Sequence, residues 1–256
     1  MSSLTILDIP SVVPNYDRNM SYGYKGLNGA NLLDLLYSTT GGYCMYCYSR
    51  IEIDSKRFGH LEHSIEKRHS SIRLLECVPN IGLACPKCNL SFKKVGDKVE
   101  LFTKKQIESY EQVACTQEKC TKECSAYKRI KRIYLKKRKI ILQPMGVITR
   151  KHIYRIQYNL LKLSFEPSIT VPYIDEEKEF INQHIAKFNL NDSKYRTREL
   201  LKFCEDMING DRCLRNGKYN NYIVDLFMDK LKNLDEKARV KLCGYIYMIG
   251  KSKRII

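Results

Sequence analysis

Apolar and polar positions along this chain follow two periods, and each change of period marks a boundary. Residues 1–26 hold Pro10, Pro14 and Asn15 without a sustained period and read as an irregular arm. Leu32, Leu33, Leu36 and Tyr37 then recur at helical spacing, predicting a helix over 27–38 that Thr39-Thr40-Gly41-Gly42 ends. Residues 58–61 have strand character. The stretch 95–102, with Gly96-Asp97, reads as a turn and a short strand. Thr103 with Gln106 three positions on is a capping-box signature, and Ile107, Tyr110 and Ala114 continue it as a helical stripe. Pro144 and Gly146 break the pattern. Short alternations such as Ile156-Gln157-Tyr158-Asn159-Leu160 predict one or two strands in 147–165.

Beyond Pro167 and Pro172 the period is helical. Asp175 is placed to cap a helix carrying Phe180, Ile181, Ile185 and Phe188. A second, over 193–208, carries Leu200, Leu201, Cys204 and Ile208, and Asn209-Gly210-Asp211 closes it. A third holds Tyr222, Ile223, Leu226, Phe227 and Leu231. A fourth, after Asp235, holds Leu242, Ile246 and Ile249. Such stripes predict core or docking faces. The pattern gives an α+β chain in three segments: 1–100, a helical 101–150, and 151–256 with short strands followed by helices.

Composition changes this picture in one respect. The 256 residues carry 45 Lys and Arg against 28 Asp and Glu, a formal charge of +17. That balance favours a polyanionic partner, nucleic acid first, without saying DNA or RNA. No stretch approaches the roughly 18 apolar residues of a spanning helix, so no membrane partner is expected. The first residues show neither a basic start nor a long apolar run. The expectation is a cytoplasmic protein whose eleven cysteines are thiols or metal ligands rather than a disulfide frame.

The candidate chemistry lies in Cys44 to Lys93. Cys44/Cys47 and Cys85/Cys88 are two Cys-x-x-Cys pairs. Each puts two thiolates at the ends of a tight turn, and two such turns make a closed, tetrahedral structural zinc site. The plainer reading is four buried or disulfide-bonded cysteines. Between the pairs lies Glu62-His63. A carboxylate suits a hard cation such as Mg²⁺ or Mn²⁺, and an imidazole accepts a proton near neutral pH. Alternation along a strand would point the two apart, so the pair must sit at a strand end or bend. Asn80 and Asn89 follow, Asn89 directly after Cys88.

This ordered set resembles the HNH endonuclease family, built as a β-hairpin and a helix around a metal (ββα-metal). The carriers are Glu62-His63, Asn80, and Cys85-Pro86-Lys87-Cys88-Asn89 followed by Lys93. The resemblance implies an Mg²⁺- or Mn²⁺-dependent endonuclease cutting DNA to 5′-phosphate and 3′-hydroxyl ends. His63 would be the general base. Glu62 and Asn89 would hold the catalytic cation, Asn80 would fix the loop that orients His63, and Lys93 would contact phosphate. Two departures stand out: Ser64-Ile65-Glu66-Lys67 replaces a usual proline, and glutamate replaces the commoner aspartate at 62. His60 and His69 are rival bases. Phe188-Asn189-Leu190-Asn191 with Tyr195-Arg196 and Arg198 resembles a segment of the HNH nucleases of Septu-type and retron-linked anti-phage systems. That likeness implies a defence effector working beside a regulatory ATPase.

Two further features remain. Lys128, Arg129, Lys131, Arg132, Lys136, Lys137, Arg138 and Lys139 interleave with Ile130, Ile133 and Tyr134. Beside a nuclease motif this reads as a phosphate-contacting helix; in isolation it reads as a solvated one. Cys115, Cys120 and Cys124, with Cys77 or a distant histidine, allow a second metal site, with buried thiols as the default. Two non-enzymatic readings stay open: a zinc module that only binds nucleic acid, and an adaptor working through its helical half.

Overall fold

The computed structural model describes residues 2–69, 71–94, 100–113, 120–144, 146–149, 151–192, 194–211, 214–215 and 218–256. Its N-terminal arm departs from the sequence expectation. A helical turn, α1 (Ser2–Thr5), leads into β1 (Ile6–Asp8), with Ile6 and Leu7 buried. Three residues carry too little periodicity to announce a strand; a partner far along the chain makes it one. α2 (Gly26–Thr40) buries Leu32, Leu36 and Tyr37 and ends at Gly41, whose φ of 60° is the left-handed cap that glycine adopts without strain.

β2 (Glu52–Ile53) and β3 (Lys56–Arg57) form a small hairpin. β4 (His60–His63), α3 (Ile72–Glu76), β5 (Ile81–Ala84) and α4 (Pro86–Leu90) follow. β4 and β5 pair antiparallel, with Glu62 opposite Gly82 and His63 opposite Ile81. Two paired strands feeding a short helix are thus the local topology around the cysteine pairs. α5 (Lys104–Glu111) carries both capping-box bonds: the Gln106 amide donates to Thr103 Oγ1 (3.3 Å) and the Thr103 amide to Gln106 Oε1 (2.9 Å). Ala114, expected on the same stripe, and residues 95–99 of the expected turn and short strand at 95–102 lie outside the described residues.

α6 (Ser125–Lys137) buries Tyr127, Ile130 and Tyr134. β6 (Ile156–Asn159) and β7 (Ser164–Pro167) then join β1 in a sheet of order β1-β6-β7, with Leu7 opposite Tyr158. α7 (Asp175–Lys187) is capped one residue earlier than expected: the Ile174 amide donates to Glu177 Oε2 (3.2 Å), and Asp175 is the first helical residue. α8 (Arg196–Ile208) starts later than the predicted 193. α9 (Tyr222–Leu231) is capped by Asn221, and α10 (Glu236–Ser252) by Asp235, whose Oδ1 accepts from the Ala238 amide (2.8 Å). α10 crosses α8 closely at Gly250, where an added Cβ would lie 2.4 Å from Leu201 Cδ1.

The three sequence segments share one core. Besides the β1–β6 pairing, the chain around the first cysteine pair is tied to α9. The Tyr222 amide donates to Tyr48 O (3.0 Å), the Arg50 amide to Asn220 O (2.8 Å), and Arg50 pairs with the buried Asp225 (2.9 Å). Among the described residues, no helix is long and apolar enough to cross a membrane.

Candidate metal centre and adjoining cavity

The four sulfurs of Cys44, Cys47, Cys85 and Cys88 lie within 4.8 Å of one another. Each pair is shaped by its own turn. Tyr48, at φ 62°, lets the chain reverse after Cys47, and its amide donates to Cys44 O (2.9 Å). Cys85 caps α4, its sulfur accepting from the Cys88 amide (3.4 Å), and the Cys85 amide donates to Cys44 Sγ (3.2 Å). The crowded thiols titrate against one another: contacts headed by Cys44 hold Cys47 well below the ordinary thiol range and push Cys88 far above it. Four buried sulfurs cannot all be thiolates without a cation among them. The donor set fits a tetrahedral zinc, closed to substrate.

Arg196 braces this centre from α8. Its Nε donates to Cys47 O (2.9 Å) and its Nη1 to Leu190 O (3.2 Å). Tyr46 stacks on Phe188 at 4.9 Å between ring centroids. The 188–198 segment therefore does local work: it joins the helical half to the cysteine turn.

Beside the centre lies a cavity of about 370 Å³ bordered by Tyr24, Glu62, His63, Glu66, Asn89 and Lys93. His63 is the last residue of β4. The chain bends after it, so Glu62 and His63 border the same space despite strand alternation. His63 Nε2 is 3.0 Å from Leu75 O. A carbonyl only accepts, so Nε2 carries the proton and Nδ1 keeps its lone pair. Nδ1 is buried and has no hydrogen-bond partner among the described residues. Burial first, then Lys67 and Lys93, hold the His63 pKa down at about 4, against the Leu75 contact that raises it. The ring is neutral at pH 7.

Asn80 is fully buried and grips the loop beyond His63. Its Oδ1 accepts from the Ile65 amide (2.8 Å) and from Tyr127 Oη (3.3 Å), and its Nδ2 donates to Ile65 O (3.1 Å) and Leu74 O (3.2 Å). It thus fixes the backbone next to Leu75, on which His63 Nε2 rests. Of the rival bases, His60 is exposed at the start of β4, and His69 ends a 3₁₀ turn, Lys67–His69.

Lys93 is a correction. It is not an exposed phosphate contact but 2 % exposed, with its ammonium bound to Glu62 Oε1 and His63 O. The expected face was lost because α4 stops at Leu90 and the chain enters a 3₁₀ turn, Phe92–Lys94. The other Glu62 oxygen accepts from Tyr46 Oη (2.7 Å). Glu62 and the half-buried Asn89 supply the oxygen donors a hard cation takes. The Lys93 ammonium occupies the Glu62 Oε1 that such an ion would take.

The basic helix is divided. Lys128, Arg132 and Lys136 are exposed and, with Lys139, border a cleft of about 850 Å³ that also holds Tyr154 and Phe180. Arg129 and Lys137 are exposed but bound locally, to Ser109 Oγ (2.5 Å) and Glu100 O (2.9 Å). Lys131 and Arg138 are corrections: 7 % and 8 % exposed, they are not free for phosphate. Lys131 pairs with Glu123 and donates to Gly146 O (2.7 Å). Cys115 lies outside the described residues.

Sequence reasoning missed Tyr24, whose ring meets His63 edge-on at 4.4 Å, Tyr46, and Glu66, a second carboxylate at the cavity held by Tyr134 Oη (2.9 Å). Only Tyr46 carried a signal, lying inside the first Cys-x-x-Cys pair. No family model matches the chain, and neither a curated protein nor a solved structure matches it.

Proposed function

We propose that the protein is a divalent-metal-dependent endonuclease of the HNH type that hydrolyses phosphodiester bonds in DNA. One observation carries this reading: His63, whose Nδ1 has no partner among the described residues, borders a cavity with Glu62 and Asn89, on paired strands and a helix beside four clustered cysteines.

His63 Nδ1 takes a proton from the attacking water. The Leu75 carbonyl keeps the proton on Nε2 and stabilises the imidazolium that forms. Asn80 keeps that carbonyl in place through Leu74 O and Ile65. Tyr46 aims the Glu62 carboxylate, and Glu62 with Asn89 would hold the cation. When bound, a hard divalent cation supplies a Lewis acid for the charge that develops on the phosphate and the leaving 3′-oxygen. Lys93, once off Glu62, adds positive charge at the cavity wall. The cleft along α6 gives the strand a basic surface beyond the cut.

The test is cleavage of supercoiled plasmid with Mg²⁺ or Mn²⁺ by the native chain and by His63→Ala. Cutting by the native chain alone supports the reading; equal cutting by both overturns it. The buried Lys93–Glu62 pair favours a second reading, a zinc module that binds nucleic acid without cutting it. Tight binding with no cleavage under any divalent cation would establish that one. The defence role and an ATPase partner, implied by the 188–198 resemblance, belong to the same proposal and are tested by co-purification from the native cell.

A further inference from the structure

A second group of sulfurs lies apart from the quartet. Cys77 Sγ and Cys120 Sγ are 4.0 Å apart, and both border, with Cys124, a cavity of about 170 Å³. The three come from separate places. Cys77 links α3 to the 3₁₀ turn Val78–Asn80, Cys120 precedes α6, and Cys124 caps α6. Packing alone does not call for three sulfurs around one hollow.

Cys124 is positioned by polar donors. Cys124 Sγ accepts from the Tyr127 amide at the start of α6 (3.4 Å) and from Arg73 Nη2 (3.5 Å). A backbone amide and a guanidinium from two different elements thus aim at one sulfur and fix its place beside the cavity. Cys120 and Cys124 are partly exposed while Cys77 is buried, so the cavity is open to an entering ion. A disulfide accounts for the group less well. It would use two sulfurs of three, and 4.0 Å is far beyond the roughly 2.05 Å of a bond.

We propose that Cys77, Cys120 and Cys124 bind a second zinc ion through three thiolates, with the fourth position taken by solvent or by another donor at the cavity. Among the described residues, only the first quartet has all its donors within 4.8 Å, so Cys124 closes in on binding. The site is structural in effect. It would tie the start of α6 to the turn that carries Asn80, a link that Tyr127 Oη already makes by its bonds to Pro79 O (3.3 Å) and Asn80 Oδ1 (3.3 Å). Zinc at Cys77 thus stiffens the loop on which His63 Nε2 rests.

The experiment counts metal rather than cleavage, so it is independent of the nuclease reading. The full chain, purified under reducing conditions without chelators, is expected to hold two zinc ions per molecule. The Cys120→Ser/Cys124→Ser variant is expected to hold one. Should that variant fail to fold, alkylation of the native chain decides: Cys120 and Cys124 resist a maleimide until a chelator is added, as read by peptide mass. One zinc per native chain with prompt alkylation of both cysteines overturns the proposal. So does a Cys77–Cys120 disulfide in the non-reduced peptide map.

Discussion

His63 and His184 are buried to nearly the same degree, 4 % and 1 % exposed, and burial holds their pKa values at about 4 and about 3. Both keep the proton on Nε2. In His63 the Leu75 carbonyl requires it; in His184, on α7, Nδ1 accepts from the Ile141 amide (2.9 Å). The difference lies in the remaining lone pair. His184 spends it on a backbone amide inside the core, against Phe188. His63 keeps it unspent among the described residues, and its ring borders a cavity. A depressed pKa therefore marks both as buried and neither as reactive. Whether the lone pair is already taken separates a packing histidine from a candidate base.

The comparison is broken most severely by stripping metal. Zinc bound to four thiolates contributes on the order of 10–16 kcal/mol in small zinc modules. A strong chelator is expected to abolish hydrogen-exchange protection in β4, β5 and α4, the His63 corner, before α10. Loss of both together would show that the cysteine quartet is not the local staple. Next in size is His63→Ala. Cleavage should fall by about 10²–10⁴-fold in single-turnover assays, the usual worth of a general base, while the urea midpoint moves little. His184→Ala should do the reverse. It leaves the Ile141 amide unsatisfied and opens a void, costing about 2–4 kcal/mol in urea melts, with turnover per folded molecule retained.

Acid gives a gentler version of the same contrast. Unfolded, His184 binds its proton near pH 6.5; folded, it does so only near 3. Between those values the unfolded chain holds the extra proton, so stability falls with falling pH, by at most about 1.4 kcal/mol per pH unit. Above pH 6.5 this contribution is complete. Denaturant melts of His184→Gln at stepped pH should show a shallower slope in that window. The smallest effect belongs to α6. Lys128→Ala/Arg132→Ala/Lys136→Ala should weaken DNA binding uniformly across sequences and lower the salt slope by about three, as fluorescence anisotropy would read.

What the sequence made legible was local chemistry. The Thr103–Gln106 box, the helix after Asp235 and the stripe of α9 depend on residues within a turn or two of one another, and all three form. The cysteine quartet was legible because a metal turn constrains spacing. The cations were harder. Lys93 and Lys131 read as solvent-facing from their positions, yet each is buried against an oxygen supplied from elsewhere: Glu62 on β4, and Glu123 with the Gly146 carbonyl. Charge in a sequence states what a residue can pair with, not whether a partner will fold over it. Tyr24 and β1 were hidden for the same reason. Their roles come from contacts made across the fold, Tyr24 with His63 and β1 with β6.

The Arg50–Asp225 ion pair joins positions 175 residues apart. During synthesis the first cysteine turn leaves the ribosome long before α9 exists to anchor it. Loop closure over such a distance is slow compared with local helix formation. A chain halted before residue 225 would carry every side chain of the His63 cavity yet lack the bolt behind its metal turn. Anchoring of the metal turn is in this way deferred until α9 has been made.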